Sequence, residues 1–293
     1  MTADGILLLD KPGGITSNAA LQRAKRVLGI RKAGHTGALD PMATGLLPLC
    51  FGEATKVSAF LLDADKAYRA EVKLGEETDS GDADGRVVAR AAVPPFELAQ
   101  VEAVLAEFRG AIEQVPPMHS ALKHRGRRLH ELARAGIEVE RPPRAVTIHH
   151  VELAALERNA LALDVVCSKG TYVRSLAVDI GRALGCGAHL TGLRRTRSGP
   201  LGLDEALALE ALERLERDQA RARLLPADAA LPHWPRIQLD DAALNDVRHG
   251  RPVAADQDAA DGVRMYADGR FVGLGSISAD GVLRVRRLFR NSG

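Results

Sequence analysis

The run RAVTIHHVELAALERNALALDVVCSKG, residues 144–170, restricts the fold more than any other part of the chain. Its two halves, RAVTIHHVELAAL and ALALDVVCSKG, read as two strands of a hairpin. An earlier segment, AYRAEVKLG, alternates like a third strand. Helical patterns are scattered irregularly between such strands. That order favours an α+β body over a regular parallel βαβ array.

The remaining segments fit that frame. GILLL at residues 5–9 reads as a short buried strand, and DKPGGITS after it is turn chemistry. Ser17 reads as the N-cap of a helix over NAALQRAKRVLG, with Gly29 as its stop. GLLPLCFG reads as a buried extended segment, and Val57, Phe60 and Leu61 lie at helical spacing. GRVVARAAV alternates like a strand, and PPFELAQVEAVLAEFRG is an amphipathic helix between Pro and Gly. TYVRSLAVDIGRALG reads as a strand end leading into a helix that closes at Gly185. LDEALALEALERLERDQARARLL reads as helical, and PADAALPHWP as a break. The last ~55 residues alternate short strands with glycine turns and are expected to form a small separate β module.

Composition excludes several function classes. The chain is 46% hydrophobic and 27% charged, as in ordinary globular proteins. Three widely spaced cysteines without a CxxC pair support neither a disulfide framework nor a zinc site. The histidines form no HExxH, so no metal is expected. No signal peptide or membrane span is read, which makes the cytoplasm the expected location. Dinucleotide, P-loop and GxSxG patterns are absent, so redox, ATP-driven and serine-hydrolase chemistry lack support.

A net charge of +2 announces no nucleic-acid partner, but its distribution does. Residues 116–144 hold seven Lys/Arg against three Glu, among them Lys123, Arg125, Arg127 and Arg128. Residues 182–197 hold four Arg, including Arg194 and Arg195, and no acid. Such one-sided charge suits phosphate contacts, though solvated faces are the common alternative.

Three stretches offer chemistry. In GHTGALDPMATGLL, Asp40 before Pro41 is either a turn cap or a reactive carboxylate, and its glycines leave room for a ligand. In SKGTYVRSLAVDIG, Tyr172 and Arg174 are two apart, so a strand end would project both to one side. A phenol and a guanidinium there suit base stacking and anion clamping, or form an ordinary strand edge. DSGDADG imitates a calcium loop, but Ser80 and Ala91 would fall on its first and twelfth positions. An exposed acidic turn accounts for it.

Together these residues resemble a known family, the bacterial tRNA pseudouridine-55 synthases (TruB family). The matching segments are GILLLDKPGGITS, GHTGALDPMATGLLPLCFGEATK, KAYRAEVKLGEETDSGDADG, VPPMHSALKHRGRRLHELARAG and KGTYVRSLAVDIGRALGCGAHLTGLRRTRSG, in family order across roughly residues 5–200. The resemblance implies a pseudouridine-synthase α+β fold, a mixed, mostly antiparallel sheet flanked by helices. A catalytic domain over 1–232 would carry a basic RNA-binding insert at about 116–144, and a PUA-like RNA-binding β-barrel would occupy 236–293.

It also implies a cofactor-free isomerase acting on uridine 55 of the tRNA T-loop. Asp40 matches the family's essential aspartate, acting at ribose C1′ or on a sugar proton. Tyr68 matches the tyrosine that stacks on the base and handles the C5 proton, and Arg174 the arginine paired with the aspartate. Tyr172 and Leu193 match pocket residues, Asp82 a pocket acid, and His35 the group filling the space of the flipped base. An arginine beside a buried Asp40 is expected to favour its ionised form. The expected partner is the T-stem–loop, and the expected state a monomer without obligate protein partner. A non-catalytic RNA chaperone and a guide-RNA-dependent synthase subunit share the same surface and motifs.

Overall fold

The computed structural model describes residues 4–120 and 122–290; within them the side chains of Lys123, His130 and Arg134 lie outside the description. The chain begins β1 (Gly5–Lys11), α1 (Ser17–Leu28), β2 (Ala33–His35), β3 (Thr44–Phe51), α2 (Ser58–Asp63) and β4 (Lys66–Leu74). It continues β5 (Glu76–Thr78), β6 (Val87–Arg90), α3 (Leu98–Glu107), β7 (Gly110–Gln114), β8 (Lys123–His124), β9 (Arg127–Arg128) and α4 (Leu129–Arg134). Next come β10 (Arg144–Glu157), β11 (Ala160–Cys167), α5 (Val173–Ala183), β12 (Ala188–Ser198), β13 (Leu201–Gly202), β14 (Leu207–Ala208), α6 (Leu209–Glu213) and α7 (Arg217–Arg221). The final unit is β15 (Arg236–Gln238), α8 (Asp241–Arg248), β16 (Val253–Ala254), β17 (Ala260–Ala267), β18 (Arg270–Ile277) and β19 (Val282–Leu288).

The expected hairpin is present. β10 and β11 pair antiparallel, and β11 pairs antiparallel with β4. They belong to a ten-stranded sheet ordered β14-β1-β3-β12-β4-β11-β10-β7, with β2 on β3 and β13 on β12. The sheet is mostly antiparallel; β12 and β3 run parallel and meet only at Arg194↔Thr44 and Arg195↔Gly45. That short contact places the end of β12 against the entry to β3, where the Asp40 loop arrives. Gly45 is required there: its φ is +97, and a Cβ would come within 2.3 Å of the Arg195 carbonyl oxygen.

Two cores fill one broad seam. α3 and α5 cover an apolar cluster including Val72, Leu163, Val165, Leu176 and Ile180. α1, α6 and α7 cover a second cluster, including Leu9, Leu21, Leu28, Leu47 and Leu212. Tyr68 and Leu193 pack against both clusters, so they stand where the two meet.

Local departures from the expectations have physical causes. Thr16, not Ser17, caps α1, its side chain accepting from the Ala19 N–H at 3.1 Å; Ser17 is turned inward instead. Gly29 closes the helix in the left-handed region as expected, with φ 68. Tyr172 and Arg174 are not on a strand end: Tyr172 is the N-cap of α5 and Arg174 lies in its first turn. Residues 203–225 do not form one helix. They break into a 3₁₀ turn, β14, α6 and α7, because Leu209, Leu212 and Ala220 each turn into the α1 core. The last unit contains the helix α8 beside its five-stranded sheet, ordered β15-β17-β18-β19-β16.

That last unit is not loosely tethered. Leu274 joins a core with Ile6, Leu8, Leu46 and Val57, and Trp234, Phe271 and Phe289 pack on it. Lys56 Nζ donates to the Leu288 carbonyl at 2.6 Å, and the Arg290 N–H to Glu53 Oε2 at 3.0 Å. Among the described residues, no helix is long and apolar enough to cross a membrane.

Candidate active site

Asp40 sits between β2 and β3, and its main chain makes the turn that the sequence suggested. The Asp40 carbonyl accepts from the Ala43 N–H at 3.1 Å, and the Pro41 carbonyl from the Gly14 N–H at 2.8 Å. Buried Ser17 grips the preceding residue twice. Its hydroxyl donates to the Leu39 carbonyl at 3.1 Å and accepts from the Leu39 N–H at 2.8 Å. Lys11, fully buried, points Nζ at the carbonyls of Pro12 and Ile15, both at 2.8 Å, and of Pro41 at 3.3 Å. Burial lowers the Lys11 pKa to about 8, against the pull of Asp40.

The loop is therefore held by its backbone, which leaves the carboxylate free to face outward; its side chain is 36% exposed. Ser17→Ala removes both bonds and strands a buried N–H. The expected destabilisation is about 1–3 kcal/mol. Urea unfolding should show it as a lower midpoint with unchanged slope.

Arg174 brings the distant groups together. It is 3% exposed, and Nη2 donates to Asp40 Oδ1 at 3.1 Å and to the His119 carbonyl at 2.8 Å. Nη1 donates to the Ser80 carbonyl at 3.2 Å and lies 3.5 Å from Asp82 Oδ2. Nε lies 2.9 Å from Asp40 Oδ2, an ion-pair distance without hydrogen-bond alignment. One planar fork thus spans two carboxylates and two carbonyls, which a lysine cannot do.

Asp82 is locked from its other side by the Ser80 hydroxyl at 2.5 Å and the Asp84 N–H at 3.1 Å. The stretch read as an exposed acidic turn is corrected here: Ser80 and Asp82 are buried, because residues 81–83 dock on Leu190 of β12.

The charge balance at Asp40 also differs from the expectation. Burial raises its pKa, Arg174 opposes this, and Asp82 adds to the rise. The net direction is upward: desolvation outweighs the arginine. Arg174 limits the rise.

Tyr68 and Leu193 form the apolar wall beside this pair. They lie on adjoining strands, Leu193 opposite Ala70 and Arg195 opposite Tyr68, and both remain partly exposed. Burial raises the Tyr68 phenol pKa, with Arg195 opposing. Tyr172 is held by its backbone: its N–H donates to Gln114 Oε1 at 2.7 Å, and Gln114 Nε2 donates to its carbonyl at 3.0 Å. Its side chain bonds Ser120, within the field of Asp40 and Arg174. The Ser175 hydroxyl donates to the Val115 carbonyl at 3.1 Å. Together with His119 on Arg174, these bonds latch the start of the basic insert to the first turn of α5.

His35 ends β2, with its ring half-buried and a buried Nδ1 that makes no hydrogen bond among the described residues. Burial and Arg195 lower its pKa, keeping the imidazole neutral at neutral pH.

The basic residues divide. Arg125, Arg127 and Arg128 are exposed around the β8–β9 hairpin, open to a phosphate backbone, while the Lys123 side chain lies outside the described residues. Arg194 is partly exposed and already engaged with Asp10, at 3.1 and 2.7 Å. Arg195 is a correction: at 1% exposure it cannot reach a phosphate. Its strand parity turns it under the sheet, where Nε donates to the Leu46 carbonyl at 2.7 Å and Nη2 to the Gly37 carbonyl at 3.0 Å.

A cleft of about 570 Å³ lies beside Arg174, lined by Val115, Met118, Val178, Asp179 and Arg182. None of Asp40, Tyr68 and Tyr172 lines it, so it does not mark the chemistry. Lys11 and Gln114 were not singled out from the sequence, and Ser17 was read only as a helix cap. A lysine ending an apolar strand in GILLLDK was the available signal for the first; Gln114 had none.

Comparison with known proteins identifies the family. A TruB family pseudouridylate synthase N-terminal domain model matches residues 25–173. A tRNA pseudouridylate synthase B C-terminal domain model matches 174–232, and a pseudouridine synthase II TruB C-terminal model 235–289. The tRNA pseudouridine synthase B of Aromatoleum aromaticum is 57% identical over 97% of this chain and 92% of its own. That of Chromohalobacter salexigens is 52% identical over 99% of this chain and 95% of its own.

Among solved structures, a chain of a Cbf5-Nop10-Gar1 complex superposes with TM-score 0.74 at 29% identity, covering 98% of this chain and 85% of that one. A chain of an H/ACA RNP bound to a substrate RNA containing 2′-deoxyuridine gives 0.73 at 27%, with the same two coverages of 98% and 85%. The fold is that of the pseudouridine synthases, with a C-terminal sheet consistent with a PUA-like module. With three consecutive family models spanning residues 25–289, this chain belongs to the TruB family of pseudouridylate synthases.

Proposed function

We propose that this chain is an isomerase that converts uridine 55 in the T-loop of tRNA to pseudouridine, with Asp40 acting on the ribose. The observation that carries the reading is the Arg174 fork, which aims a partly exposed Asp40 carboxylate beside the partly buried Tyr68 and Leu193. The names of the 52–57% identical relatives support the tRNA substrate.

The reaction breaks C1′–N1, turns the base and joins C5 to C1′. One proton leaves C5 and one arrives at N1, so atoms and electrons balance without a redox partner or group carrier. Asp40 either attacks C1′ or removes a sugar proton; both routes need its ionised form. Tyr68 stacks on the extruded uracil and handles the C5 proton, and Leu193 and Tyr172 close the pocket. His35, neutral and with an unpaired Nδ1, takes the space the base leaves, offsetting a few kcal/mol of unstacking.

The insert at about 116–144 closes on the T-stem–loop with Arg125, Arg127 and Arg128 toward phosphate. Residues 1–232 carry the chemistry, and 236–293 form a second RNA-binding module. The protein acts in the cytoplasm as a monomer.

The test is purified protein with unmodified tRNA, followed by mapping of pseudouridine. Modification at position 55 without added protein or guide RNA is expected. Absence of product sinks the reading; a requirement for added components would move it to the guide-dependent class.

A further inference from the structure

We propose that Arg195 is a positioning residue for this reaction: its buried guanidinium ties the loop carrying Asp40 to β3 on the sheet face that carries Tyr68. The proposal rests on the roles just given to Asp40 and Tyr68.

Arg194 and Arg195 are adjacent in sequence and opposite in fate. Arg194 reaches Asp10 from a partly exposed face. Arg195 points the other way and is among the largest fully buried side chains of the described residues. On β12 it stands opposite Tyr68 of β4, which puts the two side chains on one sheet face. It also lies beside Gly45 of β3, immediately before a register shift between Arg195 and Arg197. A bulge of that kind re-aims side chains next to it.

The acceptors explain why an arginine is needed. Nε donates to the Leu46 carbonyl on β3 at 2.7 Å. Nη2 donates to the Gly37 carbonyl at 3.0 Å, three residues before Asp40. The guanidinium lies on the face of Tyr68, its cross-strand partner, and opposes the rise that burial gives the phenol pKa. Gly37 has φ +122, a backbone shape that directs its carbonyl inward, and a Cβ there would meet Arg195 Nη1 at 3.5 Å. A lysine offers a point charge where two separated carbonyls need a fork.

A purely structural role does not account for this choice. Burying a cation costs several kcal/mol unless it is paired. No carboxylate forms an ion pair with Arg195 among the described residues, which leave it two carbonyl acceptors. The retained charge has a use in the chemistry. When C1′–N1 breaks, the bonding pair stays with the uracil ring until C5 joins C1′. A fixed cation on the Tyr68 face, sealed from water, stabilises that charge with no reorganisation.

Single-turnover rates on tRNA test this with Arg195→Lys, Tyr68→Phe and the double variant. Arg195→Lys should slow turnover about 10²-fold, the scale of a misplaced reacting group. Its tRNA Kd and the salt dependence of binding should stay as in wild type. The loss should largely vanish in the Tyr68→Phe background, because the two act as one unit. A weaker Kd with a shallower salt slope and an unchanged rate would make Arg195 a phosphate contact and overturn the proposal, as would fully multiplicative losses.

Arginine side-chain NMR supplies a second readout without turnover. In RNA-free protein, one exchange-protected guanidinium should shift on Tyr68→Phe, and an unchanged spectrum refutes the coupling of Arg195 to Tyr68 even if Arg195→Lys fails to fold. A wild type inactive on tRNA would instead count against the function itself.

Discussion

Asp40→Asn should leave a folded protein that binds tRNA and makes no measurable pseudouridine. The amide is nearly isosteric, but it can neither attack C1′ nor accept a sugar proton at a useful rate. Removing a group that carries proton transfer alone costs up to about 10⁴-fold, and loss of a nucleophile is no milder. The fold should persist, because Arg174 keeps Asp82, the Ser80 carbonyl and the His119 carbonyl as partners. The loop itself is held by Ser17 and Lys11 through main-chain atoms. Binding measured by filter retention should stay near wild type, since the exposed arginines that would meet phosphate lie elsewhere. Substantial turnover by this variant would remove Asp40 from its role. Lost binding with normal turnover at saturating tRNA would make it a contact instead.

The second large effect belongs to Arg174→Gln. Glutamine reaches neither carboxylate with charge and leaves buried Asp82 facing Asp40. Breaking a buried pair from one side destabilises by about 3–5 kcal/mol. The pH dependence is more telling. Burial already raises the Asp40 pKa, and Arg174 is the largest influence holding it down. The ionised form does the work, so the rate rises with pH through that pKa. The acid limb of the wild-type single-turnover profile should therefore lie above the ordinary value of an aspartate. In Arg174→Gln it should move further up, with a rate loss of about 10²-fold at neutral pH from the looser carboxylate. Arg174→Lys keeps charge without the fork and should fall between the two. A limb unmoved by Arg174→Gln would show that the titrating group is not Asp40.

Much of the fold was legible because strand alternation and helix stops are local. The β10–β11 hairpin, the stop at Gly29 and the strand at β4 follow from residues within a few positions of each other. The helix over residues 203–225 was misread because its leucines satisfied a helical period while each was drawn separately into the α1 core. Tyr172 and Arg174 were placed on one face by strand parity, yet a helix N-terminus joins them instead. The site residues were reached through family-ordered motifs; composition alone gave no hint that the acid and its arginine meet.

What the sequence determined by itself was the list of chemically able groups and the local shape of the chain carrying each. Only tertiary structure decided which of them touch. The bond from Arg174 to Asp40 spans 134 residues, a separation across which no periodicity carries information. The same holds for the two arginines of LRRTR. Alternation says that Arg194 and Arg195 face opposite ways. Which face is solvent and which lies under the sheet depends on β3, β4 and the Asp40 loop packing against β12. Burial is a property of neighbours, and the neighbours come from distant parts of the chain.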